Sequence, residues 1–194
     1  MKKVVFFLCL VYSFCFSQSQ LEAQKMDELC FDGDANVCYM LGKLNERSSV
    51  LRQGKNTPES RKYYKKAAII YQEQCDMEDD FSSCAILGNM HINDQGIGMD
   101  HFRAKEYFTK ACENDEQEGC VGLGKLHLNG ISVRKDSEIA KKYFESACTE
   151  KNQNGCLFLA QMYEKKSKKL AKEYYGKACD LNSQIGCLKY SEFK

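Results

Sequence analysis

The 194-residue sequence has no tryptophan, one proline and three histidines. It also lacks an excess of either charge, with 28 lysines and arginines against 27 aspartates and glutamates. A near-neutral chain offers no broad electrostatic footprint for nucleic acid or for an anionic lipid surface. A metallo-enzyme needs a cluster of ligands, and His91, His101 and His127 are all the histidine available. Neither a phosphate-binding loop nor a dinucleotide fingerprint is present. Beyond residue 20 no apolar segment approaches the roughly 20 residues that a membrane helix needs. No cofactor, metal or membrane span is therefore expected.

What is present begins with "MKKVVFFLCLVYSFCFSQSQ". Lys2 and Lys3 precede an apolar run from Val4 to Phe16, and Ser17-Gln18-Ser19 supplies small residues for cleavage. This is the anatomy of a secretory signal peptide over residues 1–19, with cleavage after Ser17 or Ser19. A lipoprotein reading at Cys15 is disfavoured by the bulky Tyr12 and Phe14 just before it. Residues 20–194 then form one domain's worth of chain, roughly 175 residues. Loss of Lys2 and Lys3 leaves 26 basic residues against 27 acidic ones. Cys9 and Cys15 leave too, so ten of the 12 cysteines remain, an even number. An exported chain meets an oxidising compartment, where paired thiols persist as disulfides. The expected location is secreted or periplasmic.

The ten cysteines fall into neighbouring pairs: Cys30 with Cys38, Cys75 with Cys84, Cys112 with Cys120, Cys148 with Cys156, and Cys179 with Cys187. In one straight helix, residues eight apart lie about 12 Å apart along the axis. A disulfide needs Cα atoms roughly 4.4–6.8 Å apart, so bonded neighbours require a chain reversal between them. Stretches such as Asp32-Gly33-Asp34, Asn114-Asp115 and Lys151-Asn152-Gln153-Asn154-Gly155 suit a reversal. Asp115 and Glu118 are placed to form a capping box that opens the following helix. Zinc is the competing reading, but structural zinc sites usually space their cysteines two to four apart.

Corresponding cysteines recur at intervals of 36 (Cys112 to Cys148), 37 (Cys75 to Cys112), 31 and 45 residues. A period in this range marks stacked supersecondary units. The segments "AKEYFTKAC", "AKKYFESAC" and "AKEYYGKAC" share one helical stripe, for example Ala104, Tyr107, Phe108, Ala111 and Cys112. After each second cysteine comes another stripe, as in Cys120, Leu123, Gly124 and His127. Gly42, Gly88, Gly124, Ala160 and Ser191 share one slot of it. Glycine inside a helix costs about 1 kcal/mol against alanine. Its recurrence predicts close helix approach, with large Tyr and Phe side chains filling the space opposite. "RKYYKKAAIIYQEQC" fits the alanine pattern in two registers. Thr57 and Pro58 read as an N-cap and first helical position.

The combination resembles the Sel-one-like repeat and, with its cysteines, the Helicobacter cysteine-rich protein family, over about residues 28–190. Gly130, Ser132, Val133 and Asp136 fill the tail slots of one unit, and Asp94, Gly96, Ile97 and Asp100 those of another. The unit after Cys156 is short, with "EKKSKKL" in place of the glycine-containing loop, and the unit after Cys38 is stretched by "SVLRQGKNTP". The expected fold is all-α: an α/α solenoid of TPR-like repeats with local disulfides. It comprises about four helix pairs and a short C-terminal cap. Such a stack curves and presents a concave groove. The expected function is a secreted, disulfide-stapled monomer that binds a protein, a peptide or a muropeptide-like ligand in that groove. Tyr or Phe side chains reaching the groove would be its anchors.

Members of that family carry a β-lactamase label, so the resemblance implies penicillin binding with weak β-lactam hydrolysis as the alternative. A serine β-lactamase needs S-x-x-K, S-D-N and K-T-G motifs. Ser132 with Lys135, and Ser191 with Lys194, match the first; the other two are missing. No catalytic residue is assigned. His91 and His127 share a repeat slot with Tyr163, which predicts a packing role, and His101 reads as an exposed helix start. The lysine-rich "EKKSKKLAKEYYGK" reads as a solvated surface.

Overall fold

The computed structural model describes residues 21–49 and 57–193. The signal-peptide reading of residues 1–19, the insertion at 50–56 and Lys194 lie outside the described residues. Every regular element among the described residues is helical: α1 (21–31), α2 (Ala35–Ser49), α3 (Pro58–Met77), α4 (Phe81–Asn93), α5 (His101–Glu113), α6 (Gln117–Asn129), α7 (Ser137–Thr149), α8 (Gln153–Tyr163), α9 (Lys168–Asp180) and α10 (Gln184–Glu192). They fall into two compact units. The first runs to Ile70 and includes Gln95–Ile97; the second holds Tyr71–Asp94 and the chain from Gly98 onward.

One reversal is used five times. A left-handed residue ends the helix: Gly33 (φ 105°), Asp79 (53°), Asp115 (63°), Lys151 (61°) or Asn182 (67°). The next residue caps the following helix: Asp34, Asp80, Glu116, Asn152 or Ser183. Its backbone N–H reaches back to close the old helix, as from Glu116 to the Ala111 carbonyl (3.0 Å) and from Asn152 to that of Ala147 (2.9 Å). Its side chain accepts from the first turn of the new helix, as Asn152 does from the N–H of Asn154 (2.9 Å) and Gly155 (3.0 Å). The capping box expected of Asp115 and Glu118 does not form. Asp115 is needed for the left-handed step, so the cap falls one residue later, on Glu116.

A disulfide crosses each reversal. Cys30 is bonded to Cys38 (Cα–Cα 4.7 Å), Cys75 to Cys84 (5.0 Å), Cys112 to Cys120 (4.6 Å), Cys148 to Cys156 (4.6 Å) and Cys179 to Cys187 (4.5 Å). Thiols spent on one another in this way hold no zinc. The wider spacing of Cys75 and Cys84 leaves the reversal itself unchanged: α3 runs two residues past Cys75, where α5 runs one past Cys112. Cys187 lies in α10, so the short terminal helix is stapled like the others. In three of the five reversals the helix ends approach so closely that only glycine fits beside the second cysteine; Val37 and Ser83 hold that place in the other two. A Cβ on Gly119 would lie 2.5 Å from that of Ala111 and 2.8 Å from the Cys112 nitrogen; Gly155 and Gly186 meet the same obstacle.

In the first unit, α2 lays Gly42 flat against the Tyr64 ring of α3, where a Cβ would come within 2.6 Å. The Tyr64 hydroxyl donates to Glu46 (2.8 Å) and accepts from Gln95 (3.3 Å). Thr57 caps α3 through its hydroxyl to the Ser60 N–H (3.0 Å), with Pro58 in the first helical position. The two competing registers in α3 are both real. The helix has 20 residues where α5, α7 and α9 have 13 each, a difference of one heptad. Ser60, Tyr64 and Ala67 are buried in the first register; in the second, Ala67, Tyr71 and Cys75 stand where Ala104, Phe108 and Cys112 stand in α5.

In the second unit each helix packs on its sequence neighbours, and α6 also touches α4 and α8. The row α4–α6–α8 is thus the closely spaced, inner side of this unit, and α5, α7 and α9 form the outer row. Its core repeats one contact. Gly88 and Gly122 flank the Phe108 ring, Gly124 and Phe158 flank Phe144, and Ala160 packs with Tyr175. Where the central aromatic is tyrosine, a glutamate eight residues after the second cysteine accepts its hydroxyl: Glu46 for Tyr64, and Glu164 for Tyr175 at 2.5 Å. Where it is Phe108 or Phe144, Ile92 or Leu128 stands in that place and packs on the ring.

This pairing predicts a double-mutant cycle. Tyr175→Phe and Glu164→Leu alone each destabilise by about 0.5–2 kcal/mol, because each breaks a hydrogen bond at a buried ring. Together they recreate the Phe144–Leu128 pair and return stability to within about 0.5 kcal/mol of the parent, read by denaturant unfolding. Opening one staple with the double substitution Cys148→Ser and Cys156→Ser lowers stability by about 2.5 kcal/mol for a loop of this length. An unchanged melting temperature would show that the bond adds nothing.

Candidate functional site

The slot that holds His91, His127 and Tyr163 is a stacking position. His91 lies parallel to Tyr107 (centroids 5.8 Å apart), His127 to Tyr143 (5.8 Å) and Tyr163 to Tyr174 (5.7 Å). The packing role read from the repeat is what the structure shows. His91 is buried, and its Nδ1 donates to the Gly98 carbonyl at 3.3 Å. Burial holds its imidazole below the usual pKa; the Gly98 hydrogen bond and the Asp100 carboxylate oppose that effect, and Arg103 adds to it. His101 opens α5 behind its N-cap Asp100 and is half-buried, not fully exposed.

Ser132 lies in the α6–α7 loop, half-buried and left-handed (φ 55°), with Lys135 exposed. Ser191 spends its hydroxyl on the Leu188 carbonyl within α10 at 2.7 Å. Neither serine is hydrogen-bonded to a lysine among the described residues. Among the same residues no cluster of three His, Cys, Asp or Glu side chains is arranged to hold a metal ion. The lysines at 165, 166, 168 and 169 are exposed, as a solvated surface requires.

The aromatic side chains opposite the glycine slot fill the core, as the repeat predicts, and so do not serve as groove anchors. Tyr64, Phe108, Phe144 and Tyr175 are buried, and Tyr107, Tyr143 and Tyr174 are held in the stacks. The solvent side of the inner row is polar. It carries Asn89 and Asn93 on α4, Lys125 and Asn129 on α6, and Gln161 on α8. The amides of Asn89, Asn93 and Asn129 donate one turn back, to Ala85, Asn89 and Lys125 carbonyls at 3.1, 2.8 and 2.9 Å. That orientation turns the carboxamide oxygens outward as acceptors. Beside them Glu118 takes hydrogen bonds from Asn152 (3.2 Å) and Asn154 (3.1 Å), tying α6 to the start of α8. The sequence reading looked for aromatic anchors and did not consider this strip; its signal was a polar residue five positions after each second cysteine, at Asn89, Lys125 and Gln161, on the face opposite the leucines.

Residues 35–69, 82–116, 117–152 and 155–183 each match the Sel1 repeat. Cysteine-rich protein B of Helicobacter pylori is 33% identical, with a TM-score of 0.50 over 69% of this chain and 98% of that one. The chain belongs to the Sel1-repeat proteins, in their cysteine-rich family. A Sel1 repeat protein from Oxalobacter formigenes shares the fold at 19% identity and a TM-score of 0.53 over 82% of this chain. So does a protective antigen of uropathogenic Escherichia coli, at 18% identity and 0.51 over 84%. The chain spans 63% of the length of the former and 34% of the latter. No curated protein sequence matches it. Sel1 repeats usually mediate protein interactions. Several disulfides suit an oxidising extracellular or periplasmic environment. No described helix is long and apolar enough to cross a membrane.

The buried His91 makes stability pH-dependent with a definite sign. Below about pH 6.5 the unfolded chain takes up a proton that folded His91 resists. Stability is therefore full above that pH and declines as pH falls toward the lowered folded value. Asp80 has a lowered pKa through hydrogen bonds from the Ser82 and Ser83 hydroxyls, and Asp100 and Asp136 through those from the backbone N–H groups they cap; all three enter only below about pH 4. The melting temperature should fall between pH 7 and pH 5, and His91→Tyr, which installs the residue of the Tyr163 slot, should flatten that fall. An equal fall in the variant would assign the effect to another group.

Proposed function

We propose that the chain is an exported, monomeric binding module whose inner row takes a protein or peptide partner. The carrying observation is the strip of outward carboxamides and Lys125 along α4, α6 and α8. Carboxamide oxygens accept from peptide N–H groups, and a strip that crosses α4, α6 and α8 suits an extended segment better than a compact small molecule. The helices beneath are pinned at their turns by disulfides, so the strip is ordered before binding and little entropy is lost on it. Export fits the cysteine pairs and the signal-like residues 1–19, which would place the module in the periplasm or outside the cell.

A peptide array probed with the oxidised protein tests the reading. The triple substitution Asn93→Ala, Asn129→Ala and Gln161→Ala should weaken the retained peptides by about tenfold or more, roughly 1.4 kcal/mol spread over the lost hydrogen bonds, with melting unchanged. Peptides that bind the triple variant as tightly as the parent would move the site off this face.

A further inference from the structure

The polar strip of the inner row carries a positive charge in its middle that its surroundings do not neutralise. Lys125 lies on α6 at the position that Asn89 holds on α4 and Gln161 on α8. A lysine on a helix is stabilised by a carboxylate three or four residues away. Around Lys125 those places hold Val121, Gly122, Leu128 and Asn129. Other lysines of the same unit are paired: Lys141 with Glu145 at 3.4 Å, Lys177 with Glu173 at 2.8 Å, Lys189 with Glu192 at 2.9 Å, and Lys110 with Asp76 at 3.3 Å. Lys125 is in no ion pair among the described residues. Glu118 lies two turns earlier on α6, about 10 Å along the axis. Both of its oxygens are already occupied by the Asn154 amide, at 3.2 and 3.1 Å, and one of them also by Asn152 at 3.2 Å.

The unpaired ammonium is nonetheless held in place. Lys125 is half-buried, with its nitrogen 6.0 Å from the centre of the Phe158 ring on α8. That ring is itself stacked on Phe144 at 4.9 Å. A lysine resting against a fixed ring has already given up part of the rotamer freedom that would oppose binding. At this distance, the outer limit of a useful cation–π contact, the ring orients the charge without satisfying it. The strip's side chains to either side, Asn89, Asn93 and Gln161, are neutral. Spacing sets what could reach across them. Packed helices lie roughly 8–10 Å apart, and an extended chain advances about 3.3 Å per residue. A segment crossing α4, α6 and α8 in turn therefore spends about three residues on each helix.

We propose that Lys125 selects an acidic side chain in the middle of the bound segment. The partner is then a stretch of protein with an aspartate or glutamate about three residues from the parts that lie on α4 and on α8. Its carboxylate supplies the ion-pair partner that α6 lacks, through charge-assisted hydrogen bonds. The carboxamides on the flanking helices accept from the backbone on either side of it. This inference rests on the reading of the inner row as a peptide-binding strip and adds to it the charge of the peptide.

The test uses three pools of heptapeptides, each with uncharged residues at the six outer positions and Glu, Gln or Lys at the centre. Retention on the immobilised, oxidised protein is quantified by mass spectrometry. The parent should retain the Glu pool at least about fivefold over the Gln pool, the scale of one partly exposed ion pair, and the Lys pool least. Lys125→Glu should reverse the order, with the Lys pool above the Glu pool. Lys125→Gln installs the side chain of the Gln161 position and should equalise the Glu and Gln pools; it keeps the test open if the charge reversal does not fold. Lys142→Glu makes the same change of net charge at an exposed position of α7, in the outer row, and should leave the parent's order intact. Equal retention of the pools by the parent, the parent's order persisting in folded Lys125→Glu or in Lys125→Gln, or an equal shift in Lys142→Glu would each overturn the role of Lys125. If Asn93→Ala, Asn129→Ala and Gln161→Ala together lower retention of all three pools while Lys125→Glu keeps the parent's order, the amide strip stands and the selection by Lys125 falls. Retention of no pool by the parent would overturn both.

Discussion

Where one repeat hands over to the next, the chain has two residues in which to turn back on itself. The first of them must be left-handed, which costs a residue with a side chain roughly 1 kcal/mol. Four of the five turns accept that cost at Asp79, Asp115, Lys151 and Asn182. What holds them there is a set of interactions that only a tight turn allows: the backbone bond closing the old helix, the cap opening the new one, and the disulfide across both, from Cys75 to Cys84 through to Cys179 to Cys187. Gly119, Gly155 and Gly186 let the helix ends touch. A methyl group at any of these three glycines would splay its pair, and the ring-on-glycine contact deeper in the core depends on the same spacing.

That core is built to a fixed geometry with variable chemistry. The ring of Phe108, Phe144, Tyr64 or Tyr175 occupies one position against a small residue, and the partner that satisfies it changes with it. A hydroxyl brings a glutamate; its loss brings an isoleucine or leucine. The rule follows from the cost of leaving a polar atom unpaired beside a buried ring. It explains why units of one chain can differ in residue identity at two linked positions and keep one backbone.

Much of this was legible in the sequence because the constraints are local. Spacing of the cysteines, the glycine slot, the aromatic opposite it and the stacking role of His91 and His127 follow from residues within one unit. The errors were also local in kind. Placing the cap on Asp115 ignored the left-handed step that must precede it, and a choice between two registers of α3 was posed where a helix one heptad longer accommodates both. The polar strip was not legible, because it is made by side chains some 35 residues apart. Its signal is a polar residue at one position of each unit, visible only once the helices are superposed on their repeats.

This places fold and recognition on different positions of the same unit. The cysteines, which recur in every unit, and the buried alanines of the outer helices, Ala104, Ala140 and Ala171, set the backbone. Asn89, Lys125 and Gln161 share one backbone environment and differ. Packing does not demand the difference, since solvent-facing positions tolerate most side chains at little cost. In a repeat protein the fixed backbone therefore lets these positions change without altering the stack, and a partner is selected by what they present.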